Sequence, residues 1–224
     1  MCGSSLELAD ERCFAAKRVA GGGSITGAMV IQPVLSPWRI DLDRYHEMIA
    51  EGVFREGDRL ELIEGVLTER SPKNAAHEDA IEYLQRILFR ALDDSYQVRG
   101  QSALTFPSLT SEPEPDVAVV HAGSAKPFHP SEPTLVIEVA ESSLRHDRLV
   151  KTRLYAMAGV PEYWIVNLVD RVVELHRQPV GEGYGSRTEA ASGSLEPAGL
   201  PGVVVDLDGL LAVIAAAPIE RPGA

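Results

Sequence analysis

The run Leu135-Val136-Ile137-Glu138-Val139-Ala140 is almost unbroken apolar sequence with one carboxylate set inside it. Such a run is expected of a central β-strand covered on both faces, and the acid is its anomaly. A carboxylate there loses its hydration at high cost unless it is paired or bound to a cation. Upstream, Glu112-Pro113-Glu114-Pro115-Asp116 leads into Val117-Ala118-Val119-Val120, a second short apolar strand headed by an acid. Side by side, the two strands would bring Asp116 and Glu138 within reach of one hard cation. Mg²⁺ suits that arrangement, taking one or two carboxylates and completing its octahedron with water and substrate phosphate. Each acid also has a plainer reading. Glu138 would face solvent near a sheet edge, and Asp116 would be a turn residue after Pro115.

Around these two strands the chain punctuates itself clearly. Leu42, Tyr45, Met48 and Ile49 recur at helical spacing between a capping Asp41 and a terminating Gly52. Arg59 to Glu64 and Gly65 to Arg70 alternate at period two around Glu64-Gly65, which predicts a β-hairpin. Lys73 to Leu92 predicts the longest helix, with Ile81, Leu84, Ile87, Leu88 and Leu92 on one stripe. Tyr96–Arg99, Ala103–Phe106 and Asp116–His121 are short strand candidates separated by Pro107, Pro113 and Pro115. A helix over Ser143 to Ala158 stops at Gly159, and Tyr163–Asn167 with Arg171–Arg177 predicts a strand pair. An edge strand over Ser186–Ala190 and a short helix over Asp206–Ala215 close the pattern. Trp38 and Trp164 are expected in the core.

This order predicts an α/β (α+β) domain with a mixed central β-sheet flanked by helices. It spans residues 29–216, after a flexible Gly-rich extension over 1–28 and before a short tail over 217–224. No Gly-rich phosphate loop follows a strand, and no G-x-S-x-G elbow is present. The remaining histidines (His46, His121, His129, His146 and His176) have no zinc-like spacing. The only cysteines are Cys2 and Cys13, which excludes a disulfide framework. No apolar run approaches the ~18 residues of a membrane span. A reduced, cytoplasmic protein is the expectation.

The formal charge is −12 over 224 residues, with a pI near 4.9. That excludes a protein that coats nucleic acid through bulk positive charge, though not one that meets a phosphate at a single local site. One segment runs against the trend. From Leu144 to Tyr155 the chain carries Arg145, Arg148, Lys151 and Arg153 against Asp147 alone. Lys151 reads either as an exposed helix residue pairing with Asp147 at i, i+4, or as a cation aimed over the two acids. His77 opens the long helix and Glu64 sits in the hairpin turn; both have ordinary structural readings as well.

Taken in order, these pieces resemble the Uma-two family of restriction-endonuclease-like proteins, within the PD-(D/E)xK nuclease superfamily. The pieces are Glu61-Leu62-Ile63-Glu64-Gly65, Ser71-Pro72 with His77, Glu112 to Val120, Leu135 to Ser143, then Asp147, Lys151, Tyr155 and Gly159 to Val166. The resemblance covers roughly Met29 to Leu207 and implies a restriction-endonuclease-like core, often dimeric. It implies that Pro115-Asp116 is the "PD" element and that Glu138 is the second acid, the two holding Mg²⁺ or Mn²⁺. The superfamily lysine normally follows that acid by two residues, where this chain has Ala140. Lys151, on the following helix, is the matching position. Glu64, His77 and Gln101 match further polar positions of the same cleft.

The function this implies is Mg²⁺-dependent hydrolysis of DNA phosphodiester bonds by a homodimer, leaving a 5′-phosphate and a 3′-hydroxyl. Two alternatives stand beside it: a nuclease fold used as a non-catalytic binding module, and a metal-dependent hydrolase of small phosphate esters.

Overall fold

The structure is a computed structural model that describes residues 36–123 and 129–217. The expected extension over 1–28, with Cys2 and Cys13, lies outside the described residues, as does the tail beyond Ala217. Helix α1 (Leu42–Ala50) is capped by Asp41, whose side chain accepts the Arg44 N–H. Strands β1 (Leu60–Ile63) and β2 (Val66–Glu69) form the expected hairpin as a separate two-stranded sheet. Its turn has φ of +49° at Glu64 and +78° at Gly65, the double left-handed turn whose twist matches a hairpin. Helix α2 (Ala75–Ala91) follows, with Asn74 as its N-cap accepting from the His77 N–H.

The main sheet has six strands: β3 (Tyr96–Gly100), β4 (Val117–His121), β5 (Pro133–Ala140), β6 (Glu162–Asn167), β7 (Val172–Val180) and β8 (Gly183–Ala190), neighbours in that order. All adjacent pairs are antiparallel except β5 with β6. That parallel pair requires a crossover. It is made by α3 (Leu144–His146), a π-helical turn over Asp147–Lys151, and α4 (Thr152–Met157). Two short strands, β9 (Ser194–Leu195) and β10 (Val205–Asp206), pair before the last helix, α5 (Leu207–Ala216). No helix among the described residues is long and apolar enough to cross a membrane.

Alternation along the strands sorts the core into two layers. Val117, Val119, Leu135, Ile137, Val139, Trp164 and Val166 face α2 and α5, where Leu84, Leu88, Leu207 and Leu210 meet them. Ala118, Val120, Val136, Ala140, Tyr163 and Ile165 face the crossover, against Leu154, Tyr155 and Val160. Glu138 shares the parity of Val136 and Ala140, so its carboxylate enters the crossover side. Asp116 shares the parity of Ala118. Both acids therefore belong to one face.

Several expectations are corrected. Ala103–Phe106 is not a strand; it makes one isolated bridge, Phe106 to Ser111, and otherwise bonds to the Pro113 and Pro130 carbonyls. The expected continuous helix over Ser143–Ala158 is interrupted by the π-helical turn. Trp164 is fully buried, but Trp38 is 75% exposed with Arg44 lying over its ring. Trp38 precedes the first helix and, among the described residues, has no sheet behind it, so composition alone misplaced it.

Candidate active site

Asp116 stands one residue before β4, where the chain leaves the Pro113–Pro115 segment, and Glu138 lies inside β5. Pairing of Val117 with Ile137 sets the two acids beside each other. The Val139 N–H donates to Asp116 Oδ2 at 2.9 Å, and the Asp116 N–H donates to Glu138 Oε2 at 3.2 Å. The acids are 4% and 5% exposed, which removes the solvent-facing reading of Glu138.

The crossover supplies the cation. Lys151 and Asp147 are both buried, so the reading of an exposed i, i+4 pair is also removed. Lys151 Nζ donates to Glu61 Oε2 at 2.6 Å and to Glu138 Oε1 at 3.3 Å. The Tyr155 hydroxyl, one helical turn further on, donates to Glu138 Oε1 at 2.8 Å. The other wall comes from α2 and the hairpin. His77 Nε2 lies 3.1 Å from Asp116 Oδ2. Arg70 donates to Glu114 Oε2 at 2.7 Å, and its Nη2 stands 3.6 Å from Asp116 Oδ1.

Asp116, Glu138, Asp147, Lys151, Glu61, His77 and Arg70 border one cavity of about 200 Å³, which Ser71, Lys73, Asn74, Glu141, Ser143 and His146 also line. Its lining carries six carboxylates and three lysine or arginine cations. The imbalance shows in the acids. Burial pushes the Glu138 carboxyl up to about 8; Lys151 opposes this, while Asp116, Asp147 and Glu61 add to it. Burial likewise drives Asp147 up to about 6, despite the Ser143 hydrogen bond and the Lys151 charge. At Asp116 burial also works upward. There the His77 hydrogen bond and charge, the Val139 N–H and the Arg70 charge outweigh it and hold the carboxyl below its usual range. Burial would lower the Lys151 ammonium, but Glu138, Glu61 and Asp147 raise it, so it stays charged. Neighbouring acids with pKa values driven apart by their surroundings mark a functional-site candidate.

Asp116, Glu138, Lys151 and His77 are thus brought together. Glu64 and Gln101 are not, which corrects their expected place in the same cleft. Glu64 is a left-handed turn residue whose carboxylate pairs with Arg153 outside the cavity. Gln101 reaches Asp116 only through its backbone N–H, 3.1 Å from the Asp116 carbonyl. Its side chain borders a separate shallow depression with Gln85 and Glu78. Two wall residues, Glu61 and Arg70, were not singled out by the sequence. The alternation of β1 places Glu61 opposite in parity to buried Leu62, which reads as a solvent face. In the folded protein that face packs against the crossover.

A mixed sheet thus carries paired buried acids at a strand opening, beside a lysine from the crossover, in an α/β protein. Residues 42–208 match the model of the Uma2 family, described as "putative restriction endonuclease", and the chain belongs to that family. No protein of curated function matches. Among solved structures, a protein from Anabaena variabilis ATCC 29413, described as "a putative nuclease belonging to DUF820", superposes with a TM-score of 0.62 at 13% identity. The match covers 78% of this chain and 99% of that one, and it shows a shared fold.

Proposed function

We propose that the protein is a Mg²⁺-dependent endonuclease that hydrolyses DNA phosphodiester bonds. The observation that carries this is the joining of Asp116 and Glu138, with Lys151 on Glu138 Oε1, at one cavity.

The donor set fits a hard dication. Asp116 Oδ1 has, among the described residues, only Arg70 near it, at 3.6 Å, and so retains lone pairs for a metal. Among the described residues, no three His, Cys, Asp or Glu side chains converge as a ready all-protein centre. Two carboxylates with room for water and phosphate is the usual Mg²⁺ provision. A bound Mg²⁺ would lower the pKa of water and offset charge on the phosphoryl oxygens.

The chain's own residues do the rest. Asp116 and Glu138 hold the cation, and the hydrogen bonds from Val139, Asp116 and Tyr155 keep both carboxylates aimed. Lys151 places a fixed positive charge where negative charge develops on the phosphoryl group, in a site largely closed to solvent. Phosphate binding at one small, cation-loaded site reconciles a polyanionic substrate with a chain of charge −12. A homodimer, with one site for each strand of a duplex, belongs to this reading and is checked by light scattering.

Plasmid DNA incubated with the protein and Mg²⁺ or Mn²⁺ is expected to be nicked or linearised. Asp116→Ala and Glu138→Ala are expected to leave it intact. Wild type indistinguishable from both variants would overturn the nuclease reading. DNA binding without cleavage would assign a binding role. Cleavage confined to bis(p-nitrophenyl) phosphate would assign a small-ester hydrolase.

A further inference from the structure

We infer that Glu61 is a positioning residue: from the hairpin wall it fixes the Lys151 ammonium over Glu138, so that β1 completes the site. This rests on the nuclease reading for its catalytic consequence, but the placement of the lysine stands on geometry alone.

A lysine is a point charge on a flexible four-carbon stem. Carried by the strand two residues after Glu138, it would be aimed by the sheet backbone. Here that position is Ala140, and the ammonium arrives instead from the crossover helix. Something other than backbone must hold it. Glu138 is the weaker anchor, at 3.3 Å, whereas Glu61 Oε2 accepts from Lys151 Nζ at 2.6 Å. Both partners of the closer pair are 4% exposed at the side chain.

Glu61 is itself aimed. The same Oε2 accepts the Glu114 N–H at 3.1 Å, from the segment that presents Asp116. Glu61 therefore joins the hairpin, the Pro-flanked entry to β4 and the crossover through one oxygen. Arg70, just past β2 at the same open end of the hairpin, mirrors it by standing against Glu114 and Asp116. The hairpin thus sets an acid against the site's cation and a cation against the site's acid. Stability alone is a poor reason for the buried pair, because apolar side chains of the same volume often serve as well or better.

The first test reads Lys151 directly. In the full chain labelled with ¹⁵N-lysine, the Lys151 ammonium resonance, assigned by its loss in Lys151→Met, is expected to shift and to exchange faster with solvent in Glu61→Gln. Glu61→Asp keeps the charge but shortens the reach by one methylene, and is expected to fall between. It also serves as the second variant should Glu61→Gln fail to fold. An ammonium signal unchanged in the folded variants would overturn the inference whether or not the protein cleaves DNA.

The second test is a double-mutant cycle on cleavage. Glu61→Gln is expected to lower kcat by about a hundredfold, the scale a roughly 1 Å misplacement can reach, with KM little changed. In the Lys151→Met background it should cost nothing further. Equal losses in both backgrounds would show that Glu61 does not act through Lys151 and would overturn the inference. If wild type cleaves no nucleic acid, the nuclease reading fails and the ammonium spectrum still decides the placement.

Discussion

The backbone N–H of Asp116 donates to the carboxylate of Glu138 at 3.2 Å, and the Val139 N–H next to Glu138 donates back to Asp116 at 2.9 Å. Each acid is thus held by the backbone that carries the other. The lock lies where β4 begins, so the two carboxylates keep one spacing set by sheet register.

Asp116→Asn and Asp116→Ala should separate charge from structure. The Asn side chain still offers an oxygen to the Val139 N–H but gives up the charge that His77 and Arg70 meet, so stability should fall in part while cleavage and Mg²⁺ binding are lost. The Ala variant leaves that buried N–H unpaired and should lose about 1–3 kcal/mol more. Urea unfolding measures the first effect and calorimetry with Mg²⁺ the second.

Lys151→Met should lower kcat by about 10²–10³-fold to a residual, measurable rate, and Lys151→Arg should not restore it, because a planar guanidinium does not fit a pocket shaped for an ammonium. Removing one partner of a buried pair costs about 3–5 kcal/mol. Glu138 can relieve part of that cost by taking a proton. The variant is therefore expected to be markedly less stable at high pH than at low pH, which denaturant midpoints at both ends would reveal.

The raised pKa of Glu138 makes a signed prediction. Its folded value of about 8 lies above its ordinary 4.5. The folded state then binds the proton more tightly, and the stability this provides is full below 4.5 and lost as pH rises through about 8. Without divalent cations, Tm should fall across that window, and Glu138→Gln should flatten the fall. Asp116, with its lowered pKa, acts in the opposite sense and weakens the fold only in acid. Added Mg²⁺ should raise Tm most at the alkaline end, where Glu138 is ionised. A Mg²⁺ effect independent of pH would count against these ligands.

Gly65→Ala tests the hairpin that carries Glu61 and Arg70. Gly65 has φ of +78°, and a Cβ there would stand 2.9 Å from the Ile40 carbonyl oxygen. Backbone atoms cannot yield cheaply, so a loss of about 1–3 kcal/mol is expected. Cleavage should fall as well, because Glu61 would move with the turn.

Much of the fold was legible from local pattern. The apolar run of β5, the alternating hairpin around Glu64-Gly65 and the stripe of α2 each follow from the fit of a periodic side-chain pattern to a helix or strand. Asp116 and Glu138 stood out for a related reason: an acid inside or at the head of a buried strand violates the pattern, and the violation needs a partner. Lys151 stood out in a local basic cluster, but that setting reads equally as a solvated helix, and only the resemblance chose between the two.

What the pattern misread depends on packing between distant segments. Trp38 is large and apolar yet exposed, because no layer among the described residues covers it. Glu64 and Gln101 are near the site in sequence order or backbone, but their side chains leave it. Glu61 alternates with buried Leu62 as the outer face of a hairpin would, yet it is buried against Lys151, 90 residues away. The chain by itself determined the strands, the helices and the two anomalous acids, because these are properties of neighbouring residues and their hydration. Only the tertiary structure decided which charges meet. Ion pairing at 3 Å is a fact of three-dimensional distance, and nothing in the spacing of residues 61, 116, 138 and 151 along the chain encodes it.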